Sequence, residues 1–294
     1  MGPGPKLVRA IGPGADLTMK TYRLNRLFHP VSGRCFDVAV DHGVTGEPSM
    51  LTGIEDMERA VDALMDAKPD AIQLTVGQAD LLQRRPGRDK PALVLRVDLT
   101  NVYAPEPPAD AWSKLIDDPV GHAVRLDAAC VVVNLLDAPG HPELREDSVA
   151  NVVRLRAECE RAAMPLMVEP LVLKPTAGAY GSDGDVEKIC GIVRLAAELG
   201  ADVIKADPSD DPSEYHRVVT NARVPLLVRG GGRVTDREIL ERTHAVLEQG
   251  AAGIVYGRNV IQHPDPTAMT QALMAVVHEG ETPERALERL AAVA

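Results

Sequence analysis

A chain of 294 residues, 45% of them hydrophobic, can bury a large core, and aromatic residues at 3% leave that core to Val, Leu, Ile, Ala and Met. A net charge of −11 argues against nonspecific binding to nucleic acid or to an anionic membrane, because both would repel the chain. The four cysteines, Cys35, Cys130, Cys159 and Cys190, form no CxxC pair, and with no signal peptide or membrane-length apolar run they read as reduced thiols of a cytoplasmic protein.

In chain order, Met1–Gly14 is rich in Gly and Pro and reads as a loose arm, and Leu17–Leu27 reads as a helix. Residues 1–30 are therefore expected to be an arm and helix preceding a single domain over 31–294. From residue 35 a unit recurs: a short apolar run, a polar turn, then an amphipathic segment rich in Ala, Leu, Glu and Arg. The predicted strands are Cys35–His42, Ala71–Val76, Ala92–Leu99, Cys130–Leu136, Leu166–Leu171, Asp202–Asp207, Leu226–Arg229 and Gly253–Tyr256. The predicted helices are Ile54–Ala67, Asp147–Ala162, Val186–Leu199, Pro212–Asn221, Asp236–Gln249 and Thr267–Glu279, with an extra one at Pro283–Ala292. Strict alternation implies a parallel sheet, and eight units imply closure into a (β/α)8 TIM barrel with short N-terminal and C-terminal extra helices. An open doubly wound sheet competes, but no Gly-rich fingerprint follows the first strand.

Several strands alternate with period two. Leu93, Leu95, Val97 and Leu99 share one face, opposite Arg96 and Asp98; Ile72, Leu74 and Val76 oppose Gln73 and Thr75; Val38 and Val40 oppose Ala39 and Asp41. The apolar face should meet the outer helices. The polar face then points into the barrel, together with Asn134, Glu169 and Lys205, late in the strands where such barrels place chemistry. A ring of charged and amide groups there costs stability unless mutually paired, so it reads as a site.

Lys205, in ADVIKADP, is an ammonium on a buried strand. It either pairs with Asp41 or Glu169, or burial and neighbouring cations such as Arg96 and Arg229 favour the neutral, nucleophilic amine that imine chemistry needs. Asp41 ends the first strand, where a carboxylate can orient a hydroxyl or relay a proton, or simply cap a turn. His42 should face away from it, and no second His or Cys has ligand spacing, so no metal site is expected. Glu169, followed by Pro170 on the inward face, is the best acid/base candidate; its structural alternative is an ion pair with Arg96 or Lys205. Gly230, Gly231 and Gly232 follow the seventh strand, and Gly257 and Arg258 the eighth. Exposed backbone amides with an arginine fork suit a phosphate, and barrels often hold one there. Arg229 binds a second anion or pairs with Asp207. Asp98, Asn134 and Thr75 are second-rank groups for orienting substrate hydroxyls or the lysine, and Lys174, in KPTAGAYGSDG, is a loop lysine or a substrate clamp.

The motifs DHG, ADVIK, GGG and GAAGIVYGRNVIQHPDP resemble class I aldolases of the DeoC/LacD/archaeal-type fructose-bisphosphate aldolase group over about residues 35–280. The resemblance implies Lys205 as the Schiff-base lysine, Asp41 as the family aspartate, and Gly231, Gly232, Gly257 and Arg258 as the phosphate site. The archaeal-type fructose-bisphosphate enzymes carry a Trp-x-Tyr-Pro-Arg-like stretch at strand five whose tyrosine donates a proton. Here that strand reads VEPLVLKP, similar instead to the tagatose-bisphosphate and sulfofructose-phosphate branch, where a glutamate stands.

The expected activity is reversible aldol cleavage of a phosphorylated ketose by Lys205, Glu169 and Asp41, with no metal or organic cofactor. A small phosphorylated sugar is the expected partner, with no nucleic acid or membrane, and a homo-oligomer is expected through surfaces such as the added C-terminal helix. Thiolase- or transaldolase-like carbon transfer on the same lysine is the nearest variant. A barrel isomerase without an imine, and a silent sugar-phosphate sensor, are the readings from other classes.

Overall fold

The computed structural model describes residues 19–104, 106, 108–176 and 179–293. The proposed arm Met1–Gly14, and Leu17 and Thr18 of the first expected helix, lie outside the described residues. Eight parallel strands close on themselves: β1 (Cys35–Ala39), β2 (Ala71–Thr75), β3 (Ala92–Arg96), β4 (Cys130–Asp137), β5 (Leu166–Thr176), β6 (Val203–Ala206), β7 (Leu226–Arg229) and β8 (Gly253–Tyr256). Neighbours pair in chain order, and β8 returns to β1 with Cys35 opposite Gly253 and Val38 opposite Tyr256. The chain is therefore a (β/α)8 barrel, as the alternation predicts.

The period-two pattern places the layers. Val38, Ile72, Leu74, Leu93, Leu95, Val131 and Val168 face outward into the main core beneath the helices. The opposite face forms a separate interior cluster, with Val94, Val132, Met167, Val203 and Leu227 filling the lower barrel. The helix Met19–Leu24 is followed by Leu27 and Phe28, which with Leu24 pack against this cluster and plug the barrel floor. That helix is tied down by Lys20, 3.1 Å from both Glu160 and Asp202, and by Arg23 donating to the carbonyls of Ala162 and Ala163.

The outer helices begin where their caps dictate. Asp56 caps Met57–Ala67, which buries Ala60, Val61, Leu64 and Ala67 on one stripe, so it starts three residues later than the apolar pattern suggested. Thr235 and Glu238 form a reciprocal capping box at the start of Asp236–Glu248. The expected helix Thr267–Glu279 is an α-helix over Pro266–Met274 that widens into a π turn over Ala275–Glu279 before Gly280. The final helix, Pro283–Val293, docks on these last two helices of its own barrel and buries Ala286 and Leu290.

Three departures from the expected elements shape the barrel mouth. The first strand stops at Ala39, and Asp41–Thr45 coils into a 3-10 turn. The third stops at Arg96, and Asp98–Thr100 turns out to pair antiparallel with Ser113–Leu115. The run after β5 is not a loose loop: Leu173–Thr176 and Ala179–Ser182 form a hairpin, with Lys174 half-exposed and 3.9 Å from Asp183. Each departure projects side chains over the opening that a straight strand would carry away from it.

Candidate active site

Lys205, Glu169, Asp41, Asp98, Asn134, Arg229 and the glycine-arginine rim named from the sequence all line one cavity of about 620 Å³ at the C-terminal mouth; Lys174 does not. Lys205 comes from β6, Glu169 from β5, Asn134 from β4 and Arg229 from the end of β7; Asp41 and Asp98 stand just past β1 and β3. Gly230, Gly231, Gly232, Gly257 and Arg258 form the rim after β7 and β8. Thr75 is not part of this lining, although Gln73 of the same strand enters its network.

The charged groups form a closed ring. Lys205 Nζ lies 3.1 Å from Glu169 Oε2 and donates to Gln73 Oε1 at 3.3 Å. Gln73 Nε2 donates to Asp41 Oδ2 at 2.6 Å, and Arg96 Nε donates to the same oxygen at 2.8 Å. Arg96 Nη2 closes the ring by donating to Glu169 Oε2, and its Nη1 donates to Asp98 Oδ1 at 3.1 Å. Lys205 is only 5% exposed, and Arg96, Glu169, Asp41 and Asp98 are buried with it. Buried charges persist only where partners replace the lost water, and here each charge of the ring has one.

Arg229 takes the pairing alternative: its Nη1 lies 3.0 Å from Asp207 Oδ1 and its Nε 3.5 Å from Glu169 Oε1. Burial alone would raise the Glu169 carboxyl; Lys205, Arg96 and Arg229 outweigh it and hold the group well below the usual carboxylate range. Asp41 is lowered in the same way, burial being overcome by Arg96 and Lys205. Asp98 and Asp207 go the other way, raised chiefly by burial.

The rim after β7 and β8 has a different chemistry. Gly231 adopts φ +63°, a conformation that favours glycine. A Cβ on Gly257 would sit 2.5 Å from the Ala39 carbonyl oxygen, so β8 can pass this close to the end of β1 only as glycine. Arg242 Nη1 donates to Gly230 O at 2.8 Å, Arg258 Nη2 to Gly231 O at 3.0 Å, and Asn259 Nδ2 to Gly232 O at 3.2 Å. The glycine loop is thus held from behind by its carbonyls, and two guanidinium groups stand beside it with no carboxylate partner among the described residues.

Four features escape sequence reasoning. His42 lines the cavity instead of facing away, because the 3-10 turn breaks the strand alternation at Asp41; burial depresses its imidazole, and its Nε2 has no partner among the described residues. Tyr103 and Tyr180 reach the cavity from the two hairpins, and burial pushes the Tyr103 phenol up. Arg242 arrives from the helix after β7, with no strand motif to signal it. Asp37 faces inward from β1, fully buried, both carboxylate oxygens without a hydrogen-bond partner among the described residues. Burial raises its carboxyl to about 7, with Lys205 the largest opposing charge. The alternation through Val38 and Val40 could have revealed Asp37, two residues before Ala39 on the inward face.

A buried lysine ringed by carboxylates, facing a glycine-arginine rim across the C-terminal mouth of a (β/α)8 barrel, has the layout of a barrel enzyme's site. The family model of the DeoC/LacD family aldolases matches residues 35–263, and the chain belongs to that family; it is a lyase. It is 31% identical to an uncharacterized aldolase of Saccharolobus solfataricus over 272 residues, covering 91% of this chain and 97% of that one. It is 32% identical over 266 residues to the 3-hydroxy-5-phosphonooxypentane-2,4-dione thiolase of Salmonella typhimurium, covering 90% of this chain and 84% of that one. Among solved structures, it resembles a Schiff-base-forming fructose-1,6-bisphosphate aldolase with a TM-score of 0.72 and 28% identity, covering 88% of this chain and 99% of that one.

Proposed function

We propose that the protein makes and breaks a carbon–carbon bond in a phosphorylated ketose through an imine on Lys205. The observation that carries this reading is the Lys205–Glu169 pair, buried at the barrel mouth with its 3.1 Å contact opening onto the cavity. Glu169 takes a proton from the Lys205 ammonium, and the neutral amine adds to the substrate ketone to give a carbinolamine. Protonated Glu169 returns the proton to the departing hydroxyl, water leaves, and an iminium remains. A base, Glu169 or Asp41, removes the proton of the hydroxyl carried by the far carbon of the bond to be cut. That bond's electron pair moves to the iminium nitrogen, an aldehyde departs and an enamine stays on Lys205. Protonation of the enamine carbon and addition of water release the ketone and restore the amine.

Arg96 fixes the two carboxylates relative to the amine, so little reorganisation accompanies each proton transfer. The Gly230–Gly232 loop, Gly257 and Arg258, with Arg242, receive the phosphate. Likeness to the thiolase supports a second reading, in which the same iminium drives cleavage but the departing fragment is an acyl group; the carbon fragment released separates the two.

Lys205→Arg tests the role of the amine. It preserves the charge beside Glu169 but presents no nucleophilic amine. The expected result is loss of turnover by at least about 1,000-fold with the melting temperature retained. Turnover within about 10-fold of the wild type would refute the imine and favour an acid role for the lysine.

A further inference from the structure

The cavity's cations are unevenly committed. Among the described residues, Arg96, Lys205 and Arg229 each contact buried carboxylates, whereas Arg242 and Arg258 are paired with none. Both free guanidinium groups stand on the β7–β8 side, against the glycine loop. Across the closed barrel, β4 lies opposite β8. The side formed by β3 to β5 and their hairpins presents Asp98, Asn134, Tyr103, Leu173 and Tyr180 to the cavity. The guanidinium on that side, Arg96, already bonds Asp41, Asp98 and Glu169, so a second phosphate there would meet aromatic and amide groups and paired carboxylates, with no cation lining that side left free of a carboxylate partner among the described residues to balance its charge.

Asn134 supplies a positive requirement. Its backbone N and its Nδ2 both donate to Asp98 Oδ2, at 3.0 and 2.9 Å, which fixes the amide orientation. Asp98 is itself anchored by Arg96 at 3.1 Å. Asn134 Oδ1 is consequently left as a buried acceptor with no partner among the described residues, on a residue that lines the cavity and is 4% exposed. A buried acceptor without a donor is unfavourable, and a ligand hydroxyl would satisfy it.

We infer that the substrate is singly phosphorylated: its phosphate lies at the β7–β8 rim, and its opposite end is an uncharged, hydroxyl-bearing carbon chain donating to Asn134 Oδ1. This deepens the imine reading and rests on it. Aromatic and aliphatic walls from Tyr103, Tyr180 and Leu173 suit the carbon skeleton of that end. A bisphosphate is disfavoured by charge, and a deoxygenated end by the unfilled acceptor.

The test offers the full chain a ketohexose monophosphate, the matching bisphosphate, and analogues of the monophosphate each lacking one hydroxyl. Turnover and borohydride trapping are read together. The monophosphate is expected to exceed the bisphosphate in kcat/KM by about 100-fold or more, and one deoxy analogue to lose about 100-fold. In Asn134→Ala that same analogue and its parent should differ by less than about 3-fold, because the acceptor that distinguishes them is gone. Equal or better turnover of the bisphosphate, or no discrimination among the deoxy analogues by the wild type, overturns the inference while trapping still succeeds. Failure to trap any ketose phosphate overturns the imine reading itself. The wild-type comparison needs no variant, so a folding defect in Asn134→Ala leaves it decisive.

Discussion

Asp37→Asn isolates a charge that the fold tolerates at a cost. The folded carboxyl titrates at about 7 against an ordinary value of 3.8, because burial in the barrel interior outweighs the attraction of Lys205 and Arg96, while Asp41 and Glu169 add repulsion. Below the unfolded value both states hold the proton and the residue contributes no pH dependence. Between the two values the unfolded chain ionises and the folded one does not, so folding stability falls as pH rises. At about 1.4 kcal/mol per pH unit over that interval, the accumulated penalty approaches 4 kcal/mol at neutral pH and then levels off.

Asparagine keeps the shape and does not titrate. Any constant cost of its unpaired amide, roughly 1–3 kcal/mol, shifts the whole stability curve without changing its slope. The assay is denaturant unfolding of both proteins at a series of pH values from about 4 to 8, with the difference in unfolding free energy plotted against pH. The variant is expected to gain on the wild type by several kcal/mol across that range. A difference independent of pH would refute the reasoning, since it would mean that Asp37 ionises in the folded state as it does in the unfolded one.

Glu169→Gln should lower kcat by about 100-fold or more while leaving the phosphate rim intact; an unchanged kcat would remove Glu169 from the proton transfers. Because its cations hold the Glu169 carboxyl well below the usual range, kcat/KM of the wild type should show no acid limb from this group at ordinary carboxylate pH. An acid limb there that disappears in the Gln variant would contradict this. Arg258→Ala should reduce kcat/KM by about 10- to 100-fold for phosphorylated substrates but not for their dephosphorylated counterparts, and an equal loss for both would displace the phosphate from this rim. Gly257→Ala must push a methyl against the Ala39 carbonyl 2.5 Å away, and should destabilise the fold by about 1–3 kcal/mol; a neutral melting temperature would show that the β1–β8 junction yields easily.

The barrel was legible because its signal is periodic. Ile72 and Leu74 alternate with Gln73 and Thr75 along β2, and Leu93, Leu95 and Val97 with Arg96 and Asp98 at and beyond the end of β3, and that alternation assigns the outward and inward faces without any tertiary information. The inward groups Gln73 and Arg96 follow directly from it; Asn134, Glu169 and Lys205 stand out instead as single polar residues within the apolar runs of their strands. The failures begin where strands end. A 3-10 turn at Asp41–Thr45 swings His42 into the cavity, and two hairpins bring Tyr103 and Tyr180 over it; none of the three leaves a periodic trace. The ion pairs of Glu169 with Arg96 and Lys205 were open to sequence reasoning as alternatives, and both form; the Gln73 bridge was not, since Lys205 and Gln73 are 132 positions apart and their contact exists only through barrel closure. Arg229 was legible only as a choice between a second anion and Asp207; the structure takes Asp207 and adds Glu169, which the sequence did not suggest as its partner.

The most direct measurement of the central claim is borohydride reduction in the presence of ketose phosphates, followed by peptide mass mapping. The account predicts a stable adduct with the mass of the reduced substrate on the peptide containing Lys205, and its disappearance in Lys205→Met. An adduct at another lysine such as Lys174, or no adduct with any ketose phosphate, would contradict it.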